Sequence, residues 1–379
     1  MSELKITAVE AIPLAFVGTH DFRISEGRTR RHVSVLLRVA TDDPAVTGVA
    51  EVVSAPPGKP EEFQEEIVFA IRRYVEPALV GLPATDTTAA CLRVAAVLKG
   101  RAWTKAAVNV ALRDLSARAL GVPVHVLLGG RVRDEIPVIG PVLGIDTPER
   151  MARIASETVG AGFRTLKLKL GETVRSDIDR VAAVREAVGP AIGLRVDGND
   201  HYKPADAIRL IRAIERFDLE HVEQPTGRGD VLGMAEVRRH VGVPIMSDDM
   251  VATPEEAMTA IRLGAVDRVK VKVTKHGLDG ALAIVNMLEA AGVGAVLGHV
   301  FELGLAAAAE AQFALAAPSL IMPVEIGSLR PMGFSQDIIE EDLHRRPGFI
   351  SLPEGPGLGV TLDAAAVDAA RIESRPKVA

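Results

Sequence analysis

Six short apolar segments recur through the chain from residue 165 onward, and each gives way to a helical pattern. They read TLKLKL, GLRVDGN, LEHVEQP, VPIMSDD, RVKVKVT and GAVLGHV, and the helical stretches after them run over 177–188, 204–216, 230–240, 254–263, 279–291 and 302–317. Strand–helix alternation of this kind sets successive strands parallel, because each helix carries the chain back to the same edge. So many consecutive units favour a closed α/β barrel over an open sheet. No glycine-rich phosphate fingerprint follows any strand, which argues against a dinucleotide-binding fold.

The flanks differ from this repeat. The first hundred or so residues show strand patterns, KITAVEAIPL and HVSVLLRVAT, followed by helical ones such as TKAAVNVALRDLSARALG at 104–121, where Gly121 supplies a stop. An α+β unit is expected there, with loops at 17–28 and 52–62, both rich in Gly, Pro and polar residues. The tail, 331–379, contains PEGPGLGVTLD and lies outside the repeat. With a net charge of −6 and no basic block, a nucleic-acid partner is not expected. Apolar runs such as LGLAAAAEAQFALAAP are broken by Glu310 and Gln312 and read as buried helix, not membrane span. The single cysteine, Cys91, has no internal disulfide partner, and the N-terminus lacks the basic-then-apolar build of a signal peptide, so a cytoplasmic location is expected.

Charged residues mark the C-terminal ends of the strand patterns. Lys169 to Asp197 is 28 residues, Asp197 to Glu223 is 26, Glu223 to Asp248 is 25 and Asp248 to Lys272 is 24, each about one strand–helix unit. In a parallel barrel those ends meet at one mouth, so five charges distant in sequence converge. Alternation along a strand puts Lys167 and Lys169 on one face and Leu166, Leu168 and Leu170 on the other. Arg195 shares a face with Asp197, His221 with Glu223, and Lys270 with Lys272. Three carboxylates crowded together repel one another unless compensated. A divalent cation compensates them, and all-oxygen ligation by Asp197, Glu223 and Asp248 points to Mg²⁺ or Mn²⁺. Lys167 and the metal would depress the pKa of Lys169 toward a working base, with Lys272 on the far side of the metal-bearing strands. Three other readings compete: ion pairs that only structure the barrel, a Schiff-base lysine, and a barrel used for binding alone. The Schiff-base chemistry leaves the carboxylates without a purpose, and a binding barrel leaves the five convergent charges unexplained.

At these residues the chain resembles the enolase superfamily, and within it the muconate lactonizing enzyme (muconate cycloisomerase) subgroup of the mandelate racemase/muconate lactonizing enzyme family. KLKLG, VDGN, VEQP, SDD, VKVKVTKHG, GHVFELG and PGLGV match its motifs in order, and ALRDLSARALGVPVHVLLGG resembles the segment joining its capping domain to its barrel. The resemblance implies a modified TIM barrel, (β/α)7β, over 131–330, with an α+β capping domain over 1–130 to which a C-terminal segment, 331–379, returns. It implies acid/base roles for Lys169 and Lys272, with Lys167 beside them, Mg²⁺ on Asp197, Glu223 and Asp248, and Glu302 at an acidic position of the seventh strand. The implied reaction abstracts the proton alpha to a substrate carboxylate. A racemase or epimerase of an amino-acid derivative is favoured, over a muconate-type cycloisomerase or a syn-dehydratase such as o-succinylbenzoate synthase. A small-molecule carboxylate is the expected partner, and a homo-oligomer the expected assembly.

The chain departs from the subgroup at several points. Asp248-Asp249 stands where Asp-Glu is usual, which weakens the expected pairing to Lys272, and Gly277-Leu278 replaces Gly-Gly. His299 replaces a frequent glycine and either faces the ligand or is a buried, hydrogen-bonded histidine. VEIG, Glu325 to Gly327, replaces the Asp-x-Asp of dipeptide epimerases, which argues against that activity. His20, Asp21, Phe22 and Arg23 are candidates for substrate contact from the capping loops, while Asp114 and Trp103 read as structural.

Overall fold

The computed structural model describes residues 4–24, 27–55, 61–300, 302–327, 336–351 and 353–372, with the side chains of 19–24 and 27–30 outside that description. Its N-terminal unit is an antiparallel sheet in the order β1 (Ile6–Ile24), β2 (Gly27–Thr41) and β3 (Thr47–Val53). Leu14, Val35, Leu36, Leu37 and Val39 are fully buried, so both faces of β2 are covered. The helix Ala102–Leu120 packs on β3, and it ends at Gly121, whose φ of 70° is the left-handed stop expected there. Gly48 permits this approach: a Cβ there would lie 2.2 Å from the Ala111 carbonyl oxygen.

One expectation is overturned here. The described part of the polar stretch 17–28, residues 17–24 and 27–28, is strand and not loop, since β1 and β2 pair Val17 with Arg31 and Phe22 with Thr29 across a register shift. Backbone pairing satisfies N–H and C=O groups whatever the side chains, so polar composition alone does not end a strand.

The larger unit holds a curled parallel sheet. Its strands are β4 (Thr165–Lys169), β5 (Gly193–Asp197), β6 (Leu219–Glu223), β7 (Ile245–Ser247), β8 (Arg268–Val271) and β9 (Gly294–Leu297), in the spatial order β9-β8-β7-β6-β5-β4. Helices Val174–Val188, Pro204–Ile214, Val231–His240, Pro254–Arg262, Val273–Ala290 and Gly304–Ala316 follow them in turn. Their starts are legible locally: Thr173, Asp230 and Thr253 cap with their side chains, and Pro204 and Pro254 open their helices. Leu166, Leu168, Val196, Val269 and Val271 are fully buried beneath this helical layer. Beyond its outer strands the sheet continues as single parallel bridges, Leu143 to Leu168 on one edge and Ala295 to Leu320 on the other, while Val138 bridges Val324.

Polar contacts from the helix Ala102–Leu120 help dock the units. Asn109 Oδ1 accepts the backbone N–H of Leu278 at 2.8 Å, and Arg113 pairs with Asp279 at 2.9 Å. A left-handed Gly277 (φ 68°) makes room, since a Cβ there would meet Asn109 Oδ1 at 2.8 Å. Buried Asp114 accepts from the backbone of Val49 at 2.8 Å and Leu358 at 2.7 Å, tying the C-terminal segment to the N-terminal sheet. Among the described residues no helix is long and apolar enough to cross a membrane.

Candidate active site

Parallel register assembles the site in two rows. Lys167, Arg195 and His221 are neighbours across β4, β5 and β6, and Lys169, Asp197 and Glu223 form the row nearer the C-terminal strand ends. Asp248 follows β7 directly and Lys272 follows β8. Two turns beyond these strands are strained. Asn199 and Asp200 after β5 and Gln224 after β6 have positive φ values of 41°, 64° and 35°. The bent Gln224 presents its side-chain oxygen to the Asp248 N–H at 2.8 Å and so orients the next strand's carboxylate.

The charges pair closely. Lys169 Nζ donates to Asp197 Oδ2 at 2.7 Å. Lys167 Nζ reaches Glu223 Oε2 at 2.7 Å, Asp197 Oδ2 at 3.0 Å and Glu325 Oε2 at 3.0 Å. Lys270 Nζ donates to Glu223 Oε2 at 2.5 Å and Glu325 Oε2 at 2.7 Å, and Arg195 reaches Glu325 Oε1 at 3.2 Å. Across the sheet Lys272 Nζ lies 2.7 Å from Asp248 Oδ1, which Lys275 Nζ also approaches at 3.0 Å. Asp249 bonds Lys275 and, at 2.8 Å, Arg228; its hydrogen bonds go to those two cations and not to Lys272.

This arrangement sets the protonation. Burial, together with the charge of Lys167, holds the Lys169 pKa below the ordinary lysine value despite Asp197. Burial also works against the Lys167 ammonium, yet Asp197, Glu223 and Glu325 hold its pKa well above that value. Asp248 stays well below the usual carboxylate range because Lys272 and Lys275 outweigh its burial. Glu223 is the exception, pushed up to about 7 by burial and then by the Asp197 charge. Its Oε1 is buried with no hydrogen-bond partner among the described residues.

Asp197, Glu223 and Asp248 therefore stand on adjacent strands between Lys169 and Lys272. The set whose ligand atoms already lie within 4.8 Å of one another is a different one, His221, Glu223 and Glu325, deeper in the sheet. His299 is buried and kept neutral by that burial, and its Nδ1 lies 3.8 Å from Glu302 Oε2. Glu302 is fully buried and accepts from Thr274 Oγ1 at 2.6 Å. Phe22, with His20, Asp21 and Arg23, has its side chain outside the described residues. Sequence reasoning left Arg228 unassigned, and its surrounding TGRGD carries no periodic signal. Its guanidinium reaches Glu61 at 2.6 Å, Asp200 at 2.9 Å and Asp249 at 2.8 Å.

Comparison with known proteins identifies the family. The N-terminal domain of the mandelate racemase / muconate lactonizing enzyme family matches residues 10–129, and the Enolase C-terminal domain-like family matches 150–366. Muconate cycloisomerase 1 of Rhodococcus opacus is 33% identical over 97% of this chain and 98% of its own length. N-succinyl-L-Arg/Lys racemase of Bacillus cereus is 30% identical over 95% of this chain and 96% of its own. Its crystal structure superposes with a TM-score of 0.91, at 29% identity over 97% of this chain and 98% of that one. A dipeptide epimerase from Cytophaga hutchinsonii, solved with Mg and D-Ala-L-Val, superposes with a TM-score of 0.89 at 27% identity over 96% of this chain and 98% of that one. Isomerases thus match the chain along nearly its whole length, and it is itself an isomerase of the enolase superfamily, belonging to the mandelate racemase / muconate lactonizing enzyme family.

Proposed function

We propose that this protein is a Mg²⁺-dependent racemase or epimerase that removes and returns the proton on the carbon next to a substrate carboxylate. One observation carries the reading: Lys169 and Lys272 flank the three carboxylate-bearing strands from opposite sides. A base on each face is what a 1,1-proton transfer requires. Lys169, whose lowered pKa favours the neutral amine and whose Nζ is oriented by Asp197 at 2.7 Å, is suited as that amine to take the proton from one face. Lys272, oriented by Asp248, is suited to return it from the other. Both are buried at the strand ends, where exclusion of water strengthens their charges.

Asp197, Glu223 and Asp248 fit a divalent cation. The orphaned Glu223 Oε1 and the elevated Glu223 carboxyl are what crowded ligands show when their compensating charge is missing. The deeper His221–Glu223–Glu325 set fits less well, because Lys167 and Lys270 already neutralise the facing oxygens of Glu223 and Glu325. When bound, the cation would supply positive charge beside the substrate carboxylate, easing the negative charge that builds as the proton leaves.

The substrate class follows from the eighth-strand position. Glu325 is held by Lys167, Lys270 and Arg195, and Gly327 offers no side chain. The imidazole of His299 fills that space instead: a Cβ on Gly327 would lie 2.5 Å from its Nδ1. A neutral ring suits an acyl group better than a free ammonium, so N-acyl amino acids are the preferred substrates over dipeptides. A muconate-type cycloisomerase or syn-dehydratase, using the same lysines, is the second reading, favoured by the full-length similarity to a muconate cycloisomerase. For the architecture we propose that the bridged segments near 138–143 and 320–324 complete a (β/α)7β barrel over 131–330. Residues 1–130 would cap it, with 331–379 returning to the cap.

The test is NMR in D₂O on both enantiomers of N-acetyl and N-succinyl amino acids, with polarimetry and cis,cis-muconate absorbance alongside. Racemisation is expected in the intact protein. Lys169→Ala and Lys272→Ala should each abolish it while still exchanging the α-proton of opposite enantiomers. Muconate turnover with no racemisation across the panel would promote the second reading.

A further inference from the structure

Lys272 stands where β8 has ended and the helix after it is not yet continuous. The strand stops at Val271, and the helix Val273–Ala290 is broken after its first turn by Gly277, whose φ of 68° and ψ of 178° are not helical. The backbone that carries this lysine is therefore held by one short turn, 272–276. His276 closes that turn at both ends. Its backbone N–H donates to the Lys272 carbonyl oxygen at 3.0 Å, and its ring Nδ1 accepts the Lys272 N–H at 3.1 Å. Both backbone polar groups of Lys272 are thus bonded to this one residue. Past the turn the chain is pinned separately, by Asn109 Oδ1 on the Leu278 N–H at 2.8 Å.

The other ring nitrogen faces the end of the neighbouring strand. His276 Nε2 lies 3.4 Å from the Val251 carbonyl oxygen, a long and weaker bond. Val251 in turn donates its N–H to the Asp248 carbonyl oxygen at 3.1 Å, closing the turn after β7. The same two turns meet through their side chains, with Lys272 Nζ 2.7 Å from Asp248 Oδ1. These contacts fix the ring proton. A nitrogen that accepts an amide N–H carries no proton of its own, so the proton sits on Nε2 and is donated to Val251. Burial, and after it the charge of Lys275, push the His276 pKa down to about 4, so the ring is neutral near pH 7 and Nδ1 keeps its lone pair.

We propose that His276, as the neutral Nε2–H tautomer, is a positioning residue for Lys272: it sets the lysine's backbone against the Asp248 turn and so aims Nζ at one face of the substrate. The Lys272 side chain is long and flexible, so the place of Nζ follows the place of its backbone. A reacting group misplaced by about 1 Å loses on the order of a hundredfold in rate. Without the imidazole the Lys272 N–H loses its acceptor in a buried segment, and the turn is free to shift away from Asp248. Lys169 belongs to β4, on the other side of the carboxylate-bearing strands, and His276 bonds neither it nor its strand. The effect is therefore confined to one face. Asparagine carries an acceptor at the same distance from Cβ as Nδ1, so it can restore the bond to the Lys272 N–H but not the one to Val251.

The hydrogen bonds are tested without any substrate, and only their kinetic consequence rests on the racemase reading. In the Mg²⁺-loaded full chain labelled with ¹⁵N-histidine, NMR at pH 7.5 should show one ring, assigned by its loss in His276→Asn, that is neutral and protonated on Nε2. A proton on Nδ1, or a cationic ring, would overturn the proposal. Backbone amide exchange in D₂O should find the Lys272 N–H protected in wild type and in His276→Asn, and exchanging at least about tenfold faster in His276→Phe, which keeps the ring volume and removes both nitrogens. Equal protection in all three would overturn it as well. His276→Leu replaces the phenylalanine variant if that one does not fold. For the kinetic consequence, the α-proton is followed on both enantiomers of the N-acyl panel. His276→Phe should slow exchange about tenfold for the enantiomer that Lys169→Ala still exchanges, and change the other by less than about twofold. His276→Asn should recover most of that loss. Equal slowing of both enantiomers, or no slowing of either, would overturn the positioning role while leaving the two-lysine reading in place.

Discussion

Replacing Arg228 by Met is the most direct test of how the N-terminal unit is held against the strand ends. The guanidinium bonds Glu61 from the N-terminal unit, Asp200 after β5 and Asp249 after β7, at 2.6, 2.9 and 2.8 Å. The four side chains are 29%, 15%, 19% and 24% exposed, so the cluster is neither dry nor fully solvated. Breaking a fully buried pair costs about 3–5 kcal/mol and an exposed one about 0.2–1, which places this substitution at roughly 2–3 kcal/mol. An unfolding entropy of about 2 cal/mol/K per residue, over a chain of this length, gives roughly 0.8 kcal/mol/K and hence a Tm lowered by about 3 °C. A double-mutant cycle with Glu61→Gln isolates the contact between units, with an expected coupling of about 1 kcal/mol. The effect should also reach the metal ligands. Asp249 shares Lys275 with Asp248, and without Arg228 it draws that ammonium away from Asp248 Oδ1. Calorimetry should then report an altered Mg²⁺ affinity. A Tm within about 1 °C of wild type, or a strictly additive cycle, would refute the reasoning.

Two further outcomes follow from the site. Asp197→Asn keeps the size of a ligand and removes its charge, so Mg²⁺ affinity measured by calorimetry should fall by at least about tenfold, and undiminished affinity would exclude Asp197 as a ligand. Gly327→Ala forces a Cβ to 2.5 Å from His299 Nδ1 and should destabilise the fold by roughly 1–3 kcal/mol through overpacking; adding His299→Ala should recover most of that loss in thermal denaturation.

Which parts of this site could be read from the chain, and which could not, follows from how each residue is constrained. Lys169, Asp197, Glu223, Asp248 and Lys272 were legible because strand alternation fixes the face and parallel succession fixes the end. Each sits where a regular element leaves no choice. The partners of those charges were not legible, because an ion pair depends on where a loop delivers its side chain. Lys167 read as a neighbour that tunes Lys169; in the fold it is also held among three carboxylates, one of them Glu325 from the far edge of the sheet. Asp249 looked like a weakened partner for Lys272 and instead joins Lys275 to Arg228. Arg228 itself gave no signal, since a surface loop can solvate an arginine as readily as pair it. Glu310 is the instructive case. In LGLAAAAEAQFALAAP it registers only as a polar interruption that excludes a membrane span. A carboxyl at that point in an otherwise apolar helix has to find a partner or hold a proton. In the fold Glu310 lies fully buried with neither oxygen hydrogen-bonded among the described residues, and that burial exists only once the helix is packed.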